Sequence, residues 1–115
     1  MFLDYGMKLE FKTSGYKFLQ GVASTLAKGR GMLEVSVDAG TRKTYLSKGV
    51  DVFDRVVENI QKYREHGNIQ LKYIACSSNI SDADISGFVE LAKHTKPISV
   101  MVTPEFGESW AKSRS

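Results

Sequence analysis

Strand-like runs alternate with helix-like runs along this chain, and that alternation restricts its fold more than any other feature. The strand-like runs are short, rich in β-branched or aromatic residues, and bounded by Gly, Asn, Ser or Pro. They are Lys8–Thr13, Leu33–Asp38, Ile69–Ala75 and Ile98–Thr103. The resulting order β-α-β-α-β-α-β is typical of parallel strands joined by right-handed crossover helices. The sequence therefore predicts an α/β fold built on a parallel sheet.

The helix-like runs between these strands each have an apolar stripe at helical spacing. They are Tyr16–Lys28, Val52–His66 and Asp82–His94. Gly29 suits the C-terminal cap of the first helix, and Ser81 suits the N-cap of the third. In the second helix we expect Asp51 to accept hydrogen bonds at the N terminus and Gly67 to end the helix.

Three of the strands alternate polar and apolar side chains, as Glu34, Ser36 and Asp38 do with their apolar neighbours. Because strand side chains alternate with period two, the polar ones share one face of the sheet. Parallel sheets covered on both faces are instead apolar throughout. We therefore expect all helices on the other face, as in a half or partial barrel. The polar face is then either a lumen that holds a charged ligand or a surface open to water with cross-strand Lys–Glu pairs.

The length of 115 residues predicts a single domain over residues 1–115, with residues 104–115 as a tail. A closed barrel of eight βα units takes about 250 residues, or roughly 31 per unit. The chain has room for fewer than four such units, which excludes a complete barrel.

The composition indicates in which compartment the protein is expected and which partners are not expected. One cysteine excludes an internal disulfide, and the low cysteine density favours a reducing cytoplasm. The purely apolar runs are too short to span a bilayer and no signal peptide is apparent, so we expect a cytoplasmic protein with no membrane partner. The net charge is only +3 and the basic residues are dispersed, so nucleic-acid binding is not expected.

Several segments together resemble radical S-adenosylmethionine (SAM) enzymes. The fourth-strand region of that family is similar to the run Val35-Ser36-Val37-Asp38-Ala39-Gly40-Thr41, followed by Thr44-Tyr45 and Lys48-Gly49. The run Leu71-Lys72-Tyr73-Ile74 with Asn79 resembles the next unit, and Leu9–Gly15 resembles the third strand. The resemblance extends from about Leu9 to Val102.

The resemblance implies a partial six-unit βα barrel in which a CxxxCxxC loop holds a 4Fe–4S cluster and SAM binds beside it. It implies that Ser36 and Asp38 lie near the SAM ribose or carboxylate, that Lys48 or Lys72 supplies a charge partner, and that Asn79 lies near the adenine. This chain has no CxxxCxxC, and Cys76 cannot replace three thiolates. We therefore expect the third to sixth strands of such a core, with a residual SAM-binding surface but no cluster and no radical chemistry alone.

Two other functions fit the same pattern. Open sheet edges invite pairing with another copy or with a missing N-terminal half-barrel, which would make the chain a structural or interaction module. The small and polar residues after each strand also suit a small α/β enzyme that needs no cluster.

Overall fold

The computed structural model describes residues 9–104, which form one parallel sheet and four helices. The strands are β1 (Leu9–Thr13), β2 (Gly31–Val37), β3 (Ile69–Ala75) and β4 (Ser99–Pro104). The helices are α1 (Gln20–Ala27), α2 (Arg42–Ser47), α3 (Phe53–His66) and α4 (Asp82–Thr95). In chain order the elements run β1-α1-β2-α2-α3-β3-α4-β4, which confirms the predicted α/β fold.

The strands lie side by side in chain order and every neighbouring pair is parallel. Each crossover thus moves to the adjacent strand in the same direction, as in a segment of a barrel. The register sets Val35 opposite Leu71, and Leu71 opposite Val100.

The core lies on the helix side of the sheet. Alternate side chains of β2 and β3 on that side are all buried: Leu33, Val35, Val37, Ile69, Leu71 and Tyr73. The residues between them, Glu34, Ser36, Gln70 and Lys72, are only half-buried. Each fully buried aliphatic side chain contributes about 1.5–3 kcal/mol, so this packing fixes which face meets the helices. The prediction of helices on one face and a polar second face is confirmed.

Two helix predictions need correction. The six-residue α2 was not predicted, because so short a segment shows no helical period. It begins after Thr41, whose hydroxyl accepts a hydrogen bond from the Thr44 N–H at 3.3 Å. Helix α1 begins at Gln20 and not at Tyr16. The preceding Leu19 N–H donates to the Tyr63 hydroxyl at 2.8 Å, so a side chain of α3 holds this N terminus.

The cap predictions have mixed outcomes. Ser81 caps α4 as expected, since its hydroxyl accepts from the Asp84 N–H at 3.2 Å. Gly29 follows α1 in the left-handed region at φ 68°, and its N–H bonds the Leu26 carbonyl, which confirms its role. Asp51 does not cap α3, because its two carboxylate oxygens accept from Arg42 at 2.8 Å each. Gly67 is the C-cap of α3, as predicted.

The predicted tail at 104–115 lies outside the described residues except for Pro104, which ends β4. Within residues 9–104, no helix has the length and hydropathy needed to cross a membrane.

Candidate functional site

The carboxyl edge of the sheet brings Asp38, directly after β2, against Tyr16, shortly after β1. Burial raises the pKa of Tyr16 above its usual value, and the nearby Asp38 carboxylate raises it further through its negative charge and hydrogen bonding. The phenol therefore stays protonated beside a carboxylate at this edge of the sheet, which we call the rim.

Three side chains hold the backbone of Asp38 in place. Its N–H donates to the Tyr45 hydroxyl at 3.2 Å, and its carbonyl accepts from Lys48 Nζ at 3.1 Å and Asn79 Nδ2 at 2.8 Å. Burial raises the pKa of Tyr45 to about 12, so this phenol remains neutral. Three side-chain hydrogen bonds thus hold the backbone that carries the Asp38 carboxylate.

Asn79 is completely buried beneath this rim. Its amide donates to the carbonyls of Asp38 and Ile74 at 2.8 Å each, and its Oδ1 accepts from the Cys76 N–H at 2.9 Å. Its own carbonyl accepts from the Tyr73 hydroxyl at 2.7 Å. Both amide hydrogens that an adenine contact would need are therefore used within the protein, and Asn79 acts on the rim by positioning Asp38.

Ser36 and Lys72 lie side by side on the open face of the sheet. They are register partners on β2 and β3, and both belong to the alternation that faces away from the helices. Lys12, Glu34 and Gln70 form the next cross-strand row. The structure thus groups Ser36 with Lys72, and groups Lys48 and Asn79 with the backbone of Asp38.

Asp84, an acid in the first turn of α4, connects that helix to the rim. Its Oδ1 accepts from the Gly40 N–H at 3.0 Å and from Thr41 Oγ1 at 3.1 Å. Its Oδ2 accepts from Thr44 Oγ1 at 2.7 Å and from Ser81 Oγ at 3.0 Å. Burial would raise the pKa of Asp84, but these hydrogen bonds together hold it below its usual value. The spacing Ser81-x-x-Asp84 indicates an N-cap, whereas no local sequence pattern indicates that Asp84 contacts the β2–α2 loop.

The β2–α2 loop and α4 approach each other closely at Gly40 and Gly87. A Cβ on Gly40 would overlap the Asp84 carbonyl oxygen, and one on Gly87 would overlap the Gly40 carbonyl oxygen. The two glycines therefore allow the β2–α2 loop and α4 to touch backbone to backbone, which brings the Asp84 carboxylate within reach of the loop.

Cys76 is half-buried, and its sulfur lies 3.1 Å from the Ser78 hydroxyl. Among residues 9–104, no three His, Cys, Asp or Glu side chains are grouped to hold a metal ion. A 4Fe–4S cluster on three thiolates does not fit this chain, because its sequence contains one cysteine.

Comparison with protein-family models, curated proteins and solved structures finds no match for this chain. The resemblance to radical SAM enzymes therefore stays a prediction. The chemistry of the site is that of its own groups: a positioned carboxylate with a phenol at the rim, and an ammonium beside a hydroxyl on the open face.

Proposed function

We propose that this chain forms one wall of a SAM-binding site in a partial βα barrel. The observation that carries the proposal is the pairing of Ser36 with Lys72 on the sheet face that the helices between residues 9 and 104 leave open, with Asp38 directly after the strand that carries Ser36. Charged groups are uncommon on the strands of a parallel sheet, which usually has both faces covered. Ligands of parallel α/β folds bind outside the carboxyl ends of the strands, where Asp38 lies.

The groups of SAM match these side chains. SAM has a carboxylate, an ammonium, a sulfonium and a ribose with two hydroxyls. We assign the SAM carboxylate to Lys72 and Ser36, because a lysine ammonium and a hydroxyl both donate hydrogen bonds to an anion. Asp38 accepts hydrogen bonds from the ribose hydroxyls, and Lys48 supports it through the Asp38 carbonyl.

The proposal is limited to binding by this chain. A second half-barrel, on a partner or a longer chain, would pair with β1, the edge strand of the described sheet, and close the lumen over Ser36 and Lys72. That half would have to supply the thiolates of any cluster. We propose no radical step on this chain, because it supplies only one thiol.

Isothermal titration calorimetry with SAM tests the proposal. We expect the unaltered chain to bind SAM, and Asp38→Asn and Lys72→Met each to weaken binding by about 10-fold to 100-fold, as expected for one hydrogen bond to a charged group. The controls are Asp54→Asn and Lys62→Met, which make the same chemical changes at exposed positions of α3. They should leave the affinity unchanged.

Circular dichroism of all four variants separates lost binding from lost folding. The proposal is wrong if the folded chain takes up no SAM at millimolar concentration. It is also wrong if the control variants weaken binding as much as the variants of Asp38 and Lys72.

A further inference from the structure

Strand β4 forms an apolar edge of the sheet. Val100, Met101 and Val102 are 46%, 46% and 58% exposed, although they belong to a strand. Val100 and Val102 are the register partners of Leu71 and Tyr73, which are fully buried, so they lie on the helix side. Nothing between residues 9 and 104 covers them. Edge strands are usually protected by charged side chains, a bulge or an internal proline, whereas β4 has no charged residue and its proline is terminal.

Helix α4 continues this apolar surface. Ile85 and Val89 are 40% and 42% exposed, and they lie about a quarter-turn around the helix from the buried Phe88. His94 lies on the opposite flank of α4, on the other side of Phe88, and lines a groove with residues of α3, including Val57. The flank with Ile85 and Val89 therefore faces away from α3 and toward the β4 edge.

The helix and the strand are aligned along their lengths. Helix α4 starts at the carboxyl end of β3 and returns to the amino end of β4, so the two elements run in opposite directions. The exposed apolar side chains on this flank of α4 and on the helix side of β4 are together called the β4 surface: Ile85, Val89, Val100 and Val102.

Charges at the ends of α4 identify the partner that fits the β4 surface. The exposed Asp82 begins the helix and the exposed Lys96 caps its end, and at 100° per residue both lie on the flank of Ile85 and Val89. A helix packed antiparallel to α4 with the same sequence would set Asp82 beside Lys96 of the other copy and would oppose the two helix dipoles. The next βα unit of a continued barrel would instead run parallel to α4, so a second copy of this chain is favoured.

We infer that the chain forms a two-fold symmetric dimer through the β4 surface. Strand β4 of each copy pairs antiparallel with β4 of the other, which satisfies the outward backbone groups of both strands. The same rotation places the valines of both strands between the two α4 helices, as an isologous interface requires. This inference is independent of SAM binding, since Ser36, Asp38 and Lys72 lie outside the β4 surface.

Analytical ultracentrifugation over a range of concentrations tests the dimer. We expect a species of about twice 12.8 kDa for the unaltered chain. Val102→Lys should raise the dimer dissociation constant at least 10-fold, because in the dimer it places a charge without a partner within an apolar interface. Leu46→Lys is the matched control, since Leu46 is 49% exposed on α2, away from the β4 surface, and should leave the dimer intact.

A charge exchange tests the antiparallel orientation and does not rely on a variant of the apolar patch. Asp82→Lys and Lys96→Asp should each weaken the dimer, because each sets like charges beside one another across the axis. The double variant carrying both changes should recover the unaltered affinity to within about 3-fold. A monomer at all concentrations up to about 500 μM would overturn the inference. A dimer insensitive to Val102→Lys would also overturn it, as would a double variant no stronger than the single ones.

Discussion

Removal of the Asp84 carboxylate should destabilise the protein far more than its place in the first turn of α4 suggests. The side chain is 3% exposed and accepts hydrogen bonds from one backbone N–H and three hydroxyls. In Asp84→Ala the Gly40 N–H stays buried without a partner, at a cost of about 1–3 kcal/mol. The hydroxyls of Thr41 and Thr44 are 3.2 Å apart and can still bond each other, which recovers part of the loss.

These contributions predict that Asp84→Ala lowers the free energy of unfolding by about 3–5 kcal/mol. Asp84→Asn keeps one acceptor oxygen for the loop and should cost roughly half as much. Urea unfolding followed by circular dichroism measures both values. The control is Asp82→Ala, which removes an exposed acid from the same helical turn and should cost less than about 1 kcal/mol.

The decrease in the free energy of unfolding at acid pH provides an independent measurement on the same carboxyl. Because the pKa of Asp84 is lower in the folded state than the usual value of about 3.9 for a free Asp side chain, its ionised form stabilises the protein above that pH. That contribution is lost as the pH falls below about 4 and the carboxyl is protonated. Asp84→Asn should therefore flatten the fall in stability below pH 4. Two results would refute the role of Asp84 as the link between loop and helix. One is a decrease of less than about 1 kcal/mol in the free energy of unfolding of Asp84→Ala. The other is an unchanged dependence of that free energy on pH below 4 in Asp84→Asn.

Two further substitutions probe the contacts around the rim. Gly87→Ala should lower the free energy of unfolding by about 3 kcal/mol or more, because its Cβ would meet the Gly40 carbonyl. The control is Gly21→Ala, whose Cβ would have no atom within 4 Å and which should be neutral or slightly stabilising. Urea unfolding measures both. Equal effects in the two glycine variants would contradict the backbone contact. Asn79→Ala should lower the free energy of unfolding by about 2–4 kcal/mol, and with it the melting temperature, since three backbone groups lose a hydrogen-bond partner. The control is Asn68→Ala at an exposed loop position, which should change the free energy of unfolding by less than about 0.5 kcal/mol. An Asn79→Ala protein as stable as Asn68→Ala would show that water replaces those bonds.

Local patterns were sufficient for the layered architecture. Period-two alternation in β2 and β3 separated Leu33, Val35 and Val37 from Glu34 and Ser36, and the structure buries the first group and leaves the second partly exposed. Helical periodicity placed α3 and α4 to within a residue or so of their observed bounds. These properties depend on residues two to four positions apart, so the sequence carries them directly.

Tertiary contacts decided the organisation of the rim and the exposure of β4. Asp84 and Gly40 are 44 positions apart, and the hydrogen bond between them exists only because α4 packs over the β2–α2 loop. The local sequence indicates only a polar loop residue at Asn79. In the structure Asn79 is buried and donates a hydrogen bond to the Asp38 carbonyl, 41 positions away. The apolar run of β4 resembles a buried strand, but whether Val100 and Val102 are covered depends on which element lies beside them. By itself, then, the sequence determined which side chains share a face, because that follows from the repeat of the backbone. Only the packing of distant segments decided which of those side chains are buried, paired or left open, because such contacts form between parts of the chain that carry no common local pattern.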